Sequence, residues 1–82
     1  DEIHKFLLHN PFTKQTRATY RQVLTTFKDH LDEEERELQN FTISDYMDYV
    51  EDHDWSQNTV RLHMNATRSY IKWKYGDHPL LN

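Results

Sequence analysis

The sequence is poor in residues that cross-link or interrupt a chain: its 82 residues include no cysteine, one glycine and two prolines. The lack of cysteine excludes disulfides and thiolate metal sites, and it predicts a reducing, intracellular setting. Between Pro11 and Gly76 no strong helix breaker occurs, which favours helices joined by polar loops. Apolar runs are short, and none approaches the roughly 18 residues of a membrane-spanning helix, so we expect no membrane partner.

Motifs of several enzyme and metal-site classes are also missing. The chain has no phosphate-binding glycine loop, dinucleotide fingerprint or nucleophile elbow. Its six histidines form no His-x-x-x-His pair, and the acidic run Glu33–Glu37 lacks the glycine of a calcium loop. The triplet Asp52-His53-Asp54 is better explained as a solvated loop than as an acid–base cluster. We therefore predict no metal and no cofactor, and we place the histidines at surface or boundary positions.

Apolar residues recur in four segments with the period of an α-helix, and no segment alternates as a strand would. The length suits a single all-helical domain spanning residues 1–82. In chain order, we predict a short helix ending before Pro11, a second from about Thr13 to Leu31, a third starting at Thr42, and a fourth from Ser56 to about Tyr75 with Gly76 as its C-cap.

The periodicity also assigns faces to the predicted helices. Tyr20, Tyr46 and Tyr70 fall on apolar faces and are predicted core residues. In the third helix, the residues assigned to the apolar face are Ile43, Tyr46, Met47 and Val50, opposite Asp45, Asp48, Glu51 and Asp52. The fourth helix has a broad apolar face and one exposed strip.

Charge is segregated along the chain, although the net charge is only −4. Residues 29–54 carry eleven acidic side chains and a single basic one, whereas residues 14–28 and 55–76 each carry four basic side chains and no acidic one. Binding responds to the local field rather than to the net charge, so an acidic total does not exclude a nucleic acid partner.

The basic residues of two predicted helices form stripes. Successive residues turn by about 100°, which places Arg61, Arg68 and Lys72 within a sector of about 40°, flanked by Asn58 and Asn65. The second helix presents Lys14, Arg17, Arg21 and Lys28 in a sector of about 60°. Such side chains neutralise phosphates and contact base edges, although a solvated surface also explains charged stripes. On charge alone both explanations stay open.

A different class of function also fits the charge pattern. In a helical protein-interaction module of the SAM or death-domain type, the basic helices and the acidic third helix would form complementary surfaces. Copies would then associate head to tail. Self-association without DNA binding would favour this alternative, whereas salt-sensitive binding of duplex by a monomer would favour a DNA-binding domain.

Two stretches resemble the core-binding domain of tyrosine recombinases, the phage-type integrases. Residues 16–27 (TRATYRQVLTTF) are similar to the family opening T-x-x-x-Y-x-x-x-L-x-x-F. Residues 56–61 (SQNTVR) and 66–73 (ATRSYIKW) are similar to the family text of the last long helix. The tail GDHPLLN, residues 76–82, resembles the junction that leads into the catalytic domain.

The resemblance implies a compact four- to five-helix orthogonal bundle of the SAM-like type that closes over one face of double-stranded DNA. It implies a catalytic domain of the same chain after residue 82, with the nucleophilic tyrosine there, so this chain would be non-catalytic. Other recombinase protomers would be partners in a synaptic complex, in a cytoplasmic, nucleoid-associated setting of prokaryotic or phage origin.

By the family pattern, DNA contacts come from the start of the second helix and from the exposed strip of the fourth. Carried onto this sequence, the pattern selects Lys14, Gln15, Arg17, Thr19, Arg21, Asn58, Arg61, Asn65, Arg68 and Lys72.

Overall fold

The computed structural model describes residues 1–81 and contains four α-helices there: α1 (Glu2–His9), α2 (Lys14–Glu33), α3 (Ile43–Glu51) and α4 (Gln57–Tyr75). Short 3₁₀ turns at Leu38–Asn40 and Pro79–Leu81 precede α3 and follow α4. The described residues contain no strand, which confirms the all-helical bundle expected from the periodicity. The connection between α2 and α3 is shorter than the helix boundaries predicted from the sequence imply, because α2 continues past Leu31 to Glu33 and a 3₁₀ turn forms before α3.

Side-chain caps explain where the helices begin. Thr13, Thr42 and Ser56 each accept a hydrogen bond from a backbone amide in the first turn of α2, α3 and α4, as the sequence predicted. At α3 the cap is reciprocal, since the Thr42 amide donates to the Asp45 carboxylate at 3.0 Å. Arg36 lies 2.8 Å from the same carboxylate. The Thr42 amide and then Arg36 hold the pKa of Asp45 below its ordinary value.

Phe27 of α2 is the centre of one half of the core. Its ring centroid lies 5.3 Å from that of Phe41, 5.4 Å from that of Tyr46 and 5.3 Å from that of Tyr49. All four side chains are at most 2% exposed. Edge-to-face and tilted contacts of this kind add to the burial of aromatic area, so they fix α3 against the C-terminal half of α2.

Phe6 of α1 has the same role in the other half of the core. Its ring centroid lies 5.5 Å from Phe12, 5.4 Å from Tyr70 and 5.7 Å from Trp73. Tyr70 and Trp73 belong to α4, so these aromatic contacts hold α1 against α4, while Ile3 and Leu7 of α1 are buried as well. The helix α4 thus packs against α1 near its C-terminal end and against α2 along its length.

The predicted buried face of α3 is partly wrong. Ile43 and Met47 are each 44% exposed, whereas Tyr49, which was not assigned to the core, is 1% exposed. The helix is rotated so that Tyr46, Tyr49 and Val50 face the bundle. A tyrosine ring buries more apolar area than Ile or Met, and Phe27 provides a complementary surface for two of these rings. The helical period of the apolar residues does not reveal that the tyrosine rings, rather than Ile43 and Met47, will be buried.

Thr67 of α4 is also buried, at 1% exposure, although it was not assigned to the apolar face. Its hydroxyl lies 3.0 Å from the Tyr46 hydroxyl, so the two groups satisfy one another inside the core. Burial raises the pKa of Tyr46 to about 12, which keeps its phenol protonated and able to donate to Thr67. A polar pair therefore links α3 to α4.

The expectation that the histidines lie at the surface or boundary is wrong for His78, which is 4% exposed. The Leu80 amide donates to Nδ1 at 3.0 Å, which leaves Nε2 to carry the proton and donate to the Leu38 carbonyl at 2.6 Å. This histidine joins the two 3₁₀ turns, and Leu80 beside it is buried. The segment after α4 is consequently packed on the domain.

The Thr67–Tyr46 pair gives a stability prediction. Thr67→Val should lower the free energy of unfolding by about 1–3 kcal/mol, because the Tyr46 hydroxyl would remain buried without a partner. The double variant Thr67→Val, Tyr46→Phe should be more stable than Thr67→Val alone, since it removes both polar groups. Chemical denaturation of the three proteins measures both differences. A Thr67→Val protein as stable as the original would show that the bond contributes nothing.

Candidate nucleic-acid interface

The exposed strip of α4 is built by the packing of its opposite side. Ala66, Thr67, Tyr70 and Ile71 are buried and face the bundle. The residues that project away from this side are polar or basic, and all of those predicted from the sequence are exposed: Asn58, Arg61, Asn65, Arg68 and Lys72. We call these five residues the α4 strip. It contains three positive charges and two amides on one side of a single helix.

The cations of the α4 strip are not neutralised by neighbouring carboxylates. In residues 1–81 the ion pairs join Lys5 to Glu2 and Arg36 to Asp45, so no carboxylate lies within 4.0 Å of Arg61, Arg68 or Lys72. The single basic residue of the acidic segment is thus paired, whereas the strip keeps its charges free. The strip is a source of positive potential that an anion can use.

The N-terminal half of α2 borders the α4 strip at Tyr20. Tyr20 of α2 shares a shallow depression with Asn65, Ser69 and Lys72 of α4. The first turn of α2 contains no acidic residue. Of the residues predicted on α2, Lys14, Gln15 and Arg21 are exposed, while Arg17 and Thr19 are half-buried.

The predicted residues of α2 do not all share one face. Arg21 turns towards α1, where its Nη2 lies 3.2 Å from Nδ1 of His4. Thr19 lies on the other edge of α2, in a depression that Leu62 and His63 also line. Lys28 lines a groove of mixed charge with Glu2 and other acidic residues. The positive surface is therefore continuous along α4 and only partial along α2.

Sequence reasoning missed two contributors to this surface. Ser69 borders the α4 strip and is exposed, a position that its place on the helical wheel already indicated. The second is the backbone of Leu81, whose carbonyl accepts a hydrogen bond of 3.5 Å from Nη2 of Arg68. No sequence signal could have located it, because it depends on how the tail after α4 packs.

A stack of three aromatic rings lies at the start of α4. Trp55 is placed between His53, with ring centroids 4.2 Å apart, and His63, with ring centroids 3.9 Å apart. Nδ1 of His63 is buried without a hydrogen-bond partner among the described residues. Burial lowers the pKa of His63, and the nearby His53 lowers it further. The stack therefore favours a neutral His63.

Residues 1–81 contain neither of two other kinds of feature, a metal centre or a membrane-spanning helix. No group of three or more His, Cys, Asp or Glu side chains is arranged to hold a metal ion there. Over the same residues, no helix has the length and apolar character required to cross a membrane.

Comparison with known protein families identifies the family of this chain. The model of the phage integrase N-terminal SAM-like domain matches residues 4–78. Because this match covers nearly the whole chain, the chain belongs to the phage integrase N-terminal SAM-like domain family. The resemblance seen in the sequence is confirmed. This N-terminal domain is not the catalytic domain of integrases. Searches of curated proteins and of solved structures gave no match.

The His63 environment predicts acid-sensitive stability. The pKa of His63 is lower in the folded chain than the ordinary value of about 6.5 expected after unfolding. As the pH falls through about 6.5, the unfolded state binds the proton first, so the free energy of unfolding decreases until His63 is protonated in both states. Urea denaturation of the original protein and of His63→Gln at pH values from about 7.5 to 5 measures this. The stability difference between the two proteins should change as the pH falls. If the free energies of unfolding of the two proteins changed with pH in parallel, the lowered pKa of His63 would be contradicted.

Proposed function

We propose that this chain binds double-stranded DNA as the core-binding domain of a tyrosine recombinase, and clamps one face of the duplex at the recombination core site. The observation that carries the proposal is the α4 strip, in which Arg61, Arg68 and Lys72 project from one helix without a carboxylate within 4.0 Å in residues 1–81. Membership of the integrase family supports it, since such proteins integrate and recombine DNA.

The proposed contacts divide between two helices. Arg61 and Arg68 lie near the middle of the α4 strip, where guanidinium groups can contact phosphates or the acceptors of a guanine edge. Asn58 and Asn65 supply amides that can both donate and accept. The start of α2 would add Lys14, Gln15 and Arg17, which extend the contact along the backbone. Thr19 and Arg21, which lie on other edges of α2, would contribute only at the margins of this contact.

The chain itself would perform no chemistry on DNA. Burial raises the pKa of Tyr46 and of Tyr70 to about 12 and raises that of Tyr49 further, so these phenols resist the ionisation that a nucleophile requires. Cleavage would belong to a catalytic domain that follows residue 82. Other protomers would complete the synaptic complex in the cytoplasm, where the parent protein would associate with the nucleoid.

The proposed interface predicts which backbone amides respond to DNA. Titration of the isotope-labelled chain with a random duplex of about 20 base pairs should shift amides at the start of α2 and along residues 58–72. The shifts should fade between low and moderate salt, because binding without the second half of a clamp is mainly electrostatic, with a Kd of about 10⁻⁴ to 10⁻⁶ M. The absence of shifts at low salt would assign the basic strip to another partner.

A charge-matched comparison tests the α4 strip directly. Replacing Arg61 and Arg68 with Ala should weaken duplex binding at least about tenfold, a loss of about 1.4 kcal/mol, because two phosphate or base contacts disappear. The control replaces Lys28 and Lys74 with Ala, which removes two positive charges from the mixed-charge groove on another side of the domain. Fluorescence anisotropy measures both affinities, and circular dichroism verifies folding. Equal losses in the two variants would show that only net charge matters.

A further inference from the structure

Three large hydrophobic side chains of residues 1–81 are exposed: Leu8 is 60% exposed, and Ile43 and Met47 are each 44% exposed. They lie in two places, one on α1 and one on α3. The side chains around the two places carry opposite charges. Exposed apolar groups within charged surroundings are typical of surfaces that bind another protein.

The first place, which we call the α1 patch, consists of Lys5, Leu8, His9 and Trp73. These residues line one shallow depression, with the half-buried Trp73 contributed by α4. Lys5 lies 3.9 Å from Glu2 within α1, and its side chain is 69% exposed. An exposed ion pair at this distance contributes little to stability, so Lys5 remains available to another carboxylate. The α1 patch is apolar at Leu8 and basic at its border.

The second place, which we call the α3 patch, consists of Ile43, Met47, Asp48 and Glu51. Ile43, Met47 and Glu51 follow one another at intervals of four residues, so they form one line along α3. Asp48 and Glu51 are exposed, and no basic side chain lies within 4.0 Å of either in residues 1–81. The α3 patch is therefore apolar with an unpaired acidic border, the complement of the α1 patch.

The two patches lie on opposite sides of α4, so they cannot meet within one chain. The α1 patch includes Trp73, whereas Ile43 of the α3 patch borders Met64. Trp73 and Met64 are nine residues apart, so they project from α4 in roughly opposite directions. The α4 strip projects from the sector between them. Ile43 adjoins the strip at Arg68, and contacts through the patches would leave the rest of the strip uncovered.

We propose that the α1 patch of one copy of this chain docks on the α3 patch of a second copy, in a head-to-tail arrangement. The occupant is assigned by complementarity: Leu8 meets Ile43 and Met47, and Lys5 and His9 face Glu51 and Asp48. Because the two patches are different surfaces, each copy keeps one of them free, and association is open-ended rather than closed at a dimer. The apolar area is small, so the contact is weak and sensitive to salt.

The self-association does not depend on DNA binding. Its consequence, that several copies bind one duplex together, rests on the proposed function. Copies joined in this way would keep most of each α4 strip available to a shared duplex. The proposed contact uses no basic side chain of α2 or of the α4 strip, although Ile43 adjoins Arg68. The proposed contact therefore differs from the alternative of the sequence analysis, in which the basic helices would pair with the acidic α3.

The experiment uses two variants that each lack one patch, Leu8→Ser and Met47→Ser. Both positions are exposed, so the fold should persist, and Thr25→Ser on the exposed side of α2 is the matched control. Sedimentation equilibrium in low salt without DNA should show an average mass that rises with concentration for the original protein and the control. Each patch variant alone should associate about tenfold more weakly.

Mixing the two patch variants restores one intact contact, since Leu8→Ser keeps its α3 patch and Met47→Ser keeps its α1 patch. The mixture should form a 1:1 dimer with the affinity of the original protein and no larger species. With isotope-labelled Leu8→Ser and unlabelled Met47→Ser, amide shifts should be confined to the surroundings of α3.

Three results would overturn the proposal. The first is an original protein that stays monomeric at about 1 mM, which would limit the association free energy to about −4 kcal/mol or weaker. The second is patch variants that associate like the control, and the third is a mixture that does not recover. Duplex titration of Leu8→Ser tests the proposed function separately, because its α4 strip is intact. Lost self-association of Leu8→Ser with unchanged duplex binding leaves both proposals in place. An original protein that self-associates but binds no duplex leaves the docking proposal in place and overturns the proposed function.

Discussion

The packing of two phenylalanine rings holds this domain together. Phe6 and Phe27 each contact three aromatic rings at centroid distances between 5.3 and 5.7 Å. A chain of 82 residues has a small core, so a few large rings supply much of the apolar area that it can bury. Through these contacts, Phe6 fixes α1 against α4, and Phe27 fixes α3 against α2.

The placement of the charged surfaces follows from this core. Because α4 buries Ala66, Thr67, Tyr70 and Ile71, its remaining side is free, and that side carries three cations and two amides. The acidic residues are concentrated between the C-terminal end of α2 and the turn after α3, where Arg36 pairs with Asp45. An acidic protein therefore keeps a basic strip with no carboxylate within 4.0 Å in residues 1–81, although Ile43 of the acidic helix borders Arg68.

Much of the α4 strip could be predicted from the sequence, whereas the α2 half could not. Spacing alone placed Arg61, Arg68 and Lys72 on one side, because a regular helix determines its own faces. On α2 the same reasoning does not show that Arg21 turns towards His4 or that Thr19 faces Leu62. Those directions depend on which neighbouring helix covers each edge. The stack of His53, Trp55 and His63 likewise depends on the turn between α3 and α4.

The sequence by itself determined the helices, their caps at Thr13, Thr42 and Ser56, the segregation of charge and the family, since each depends on residues close together in the chain. Only the tertiary structure decided the rotation of α3, which buries Tyr49 and exposes Met47, and the burial of Thr67 and His78. The reason is physical. A side chain is buried when a distant partner fills the space beside it or satisfies its polar atoms, as Phe27 does for Tyr49 and the Leu38 carbonyl does for His78.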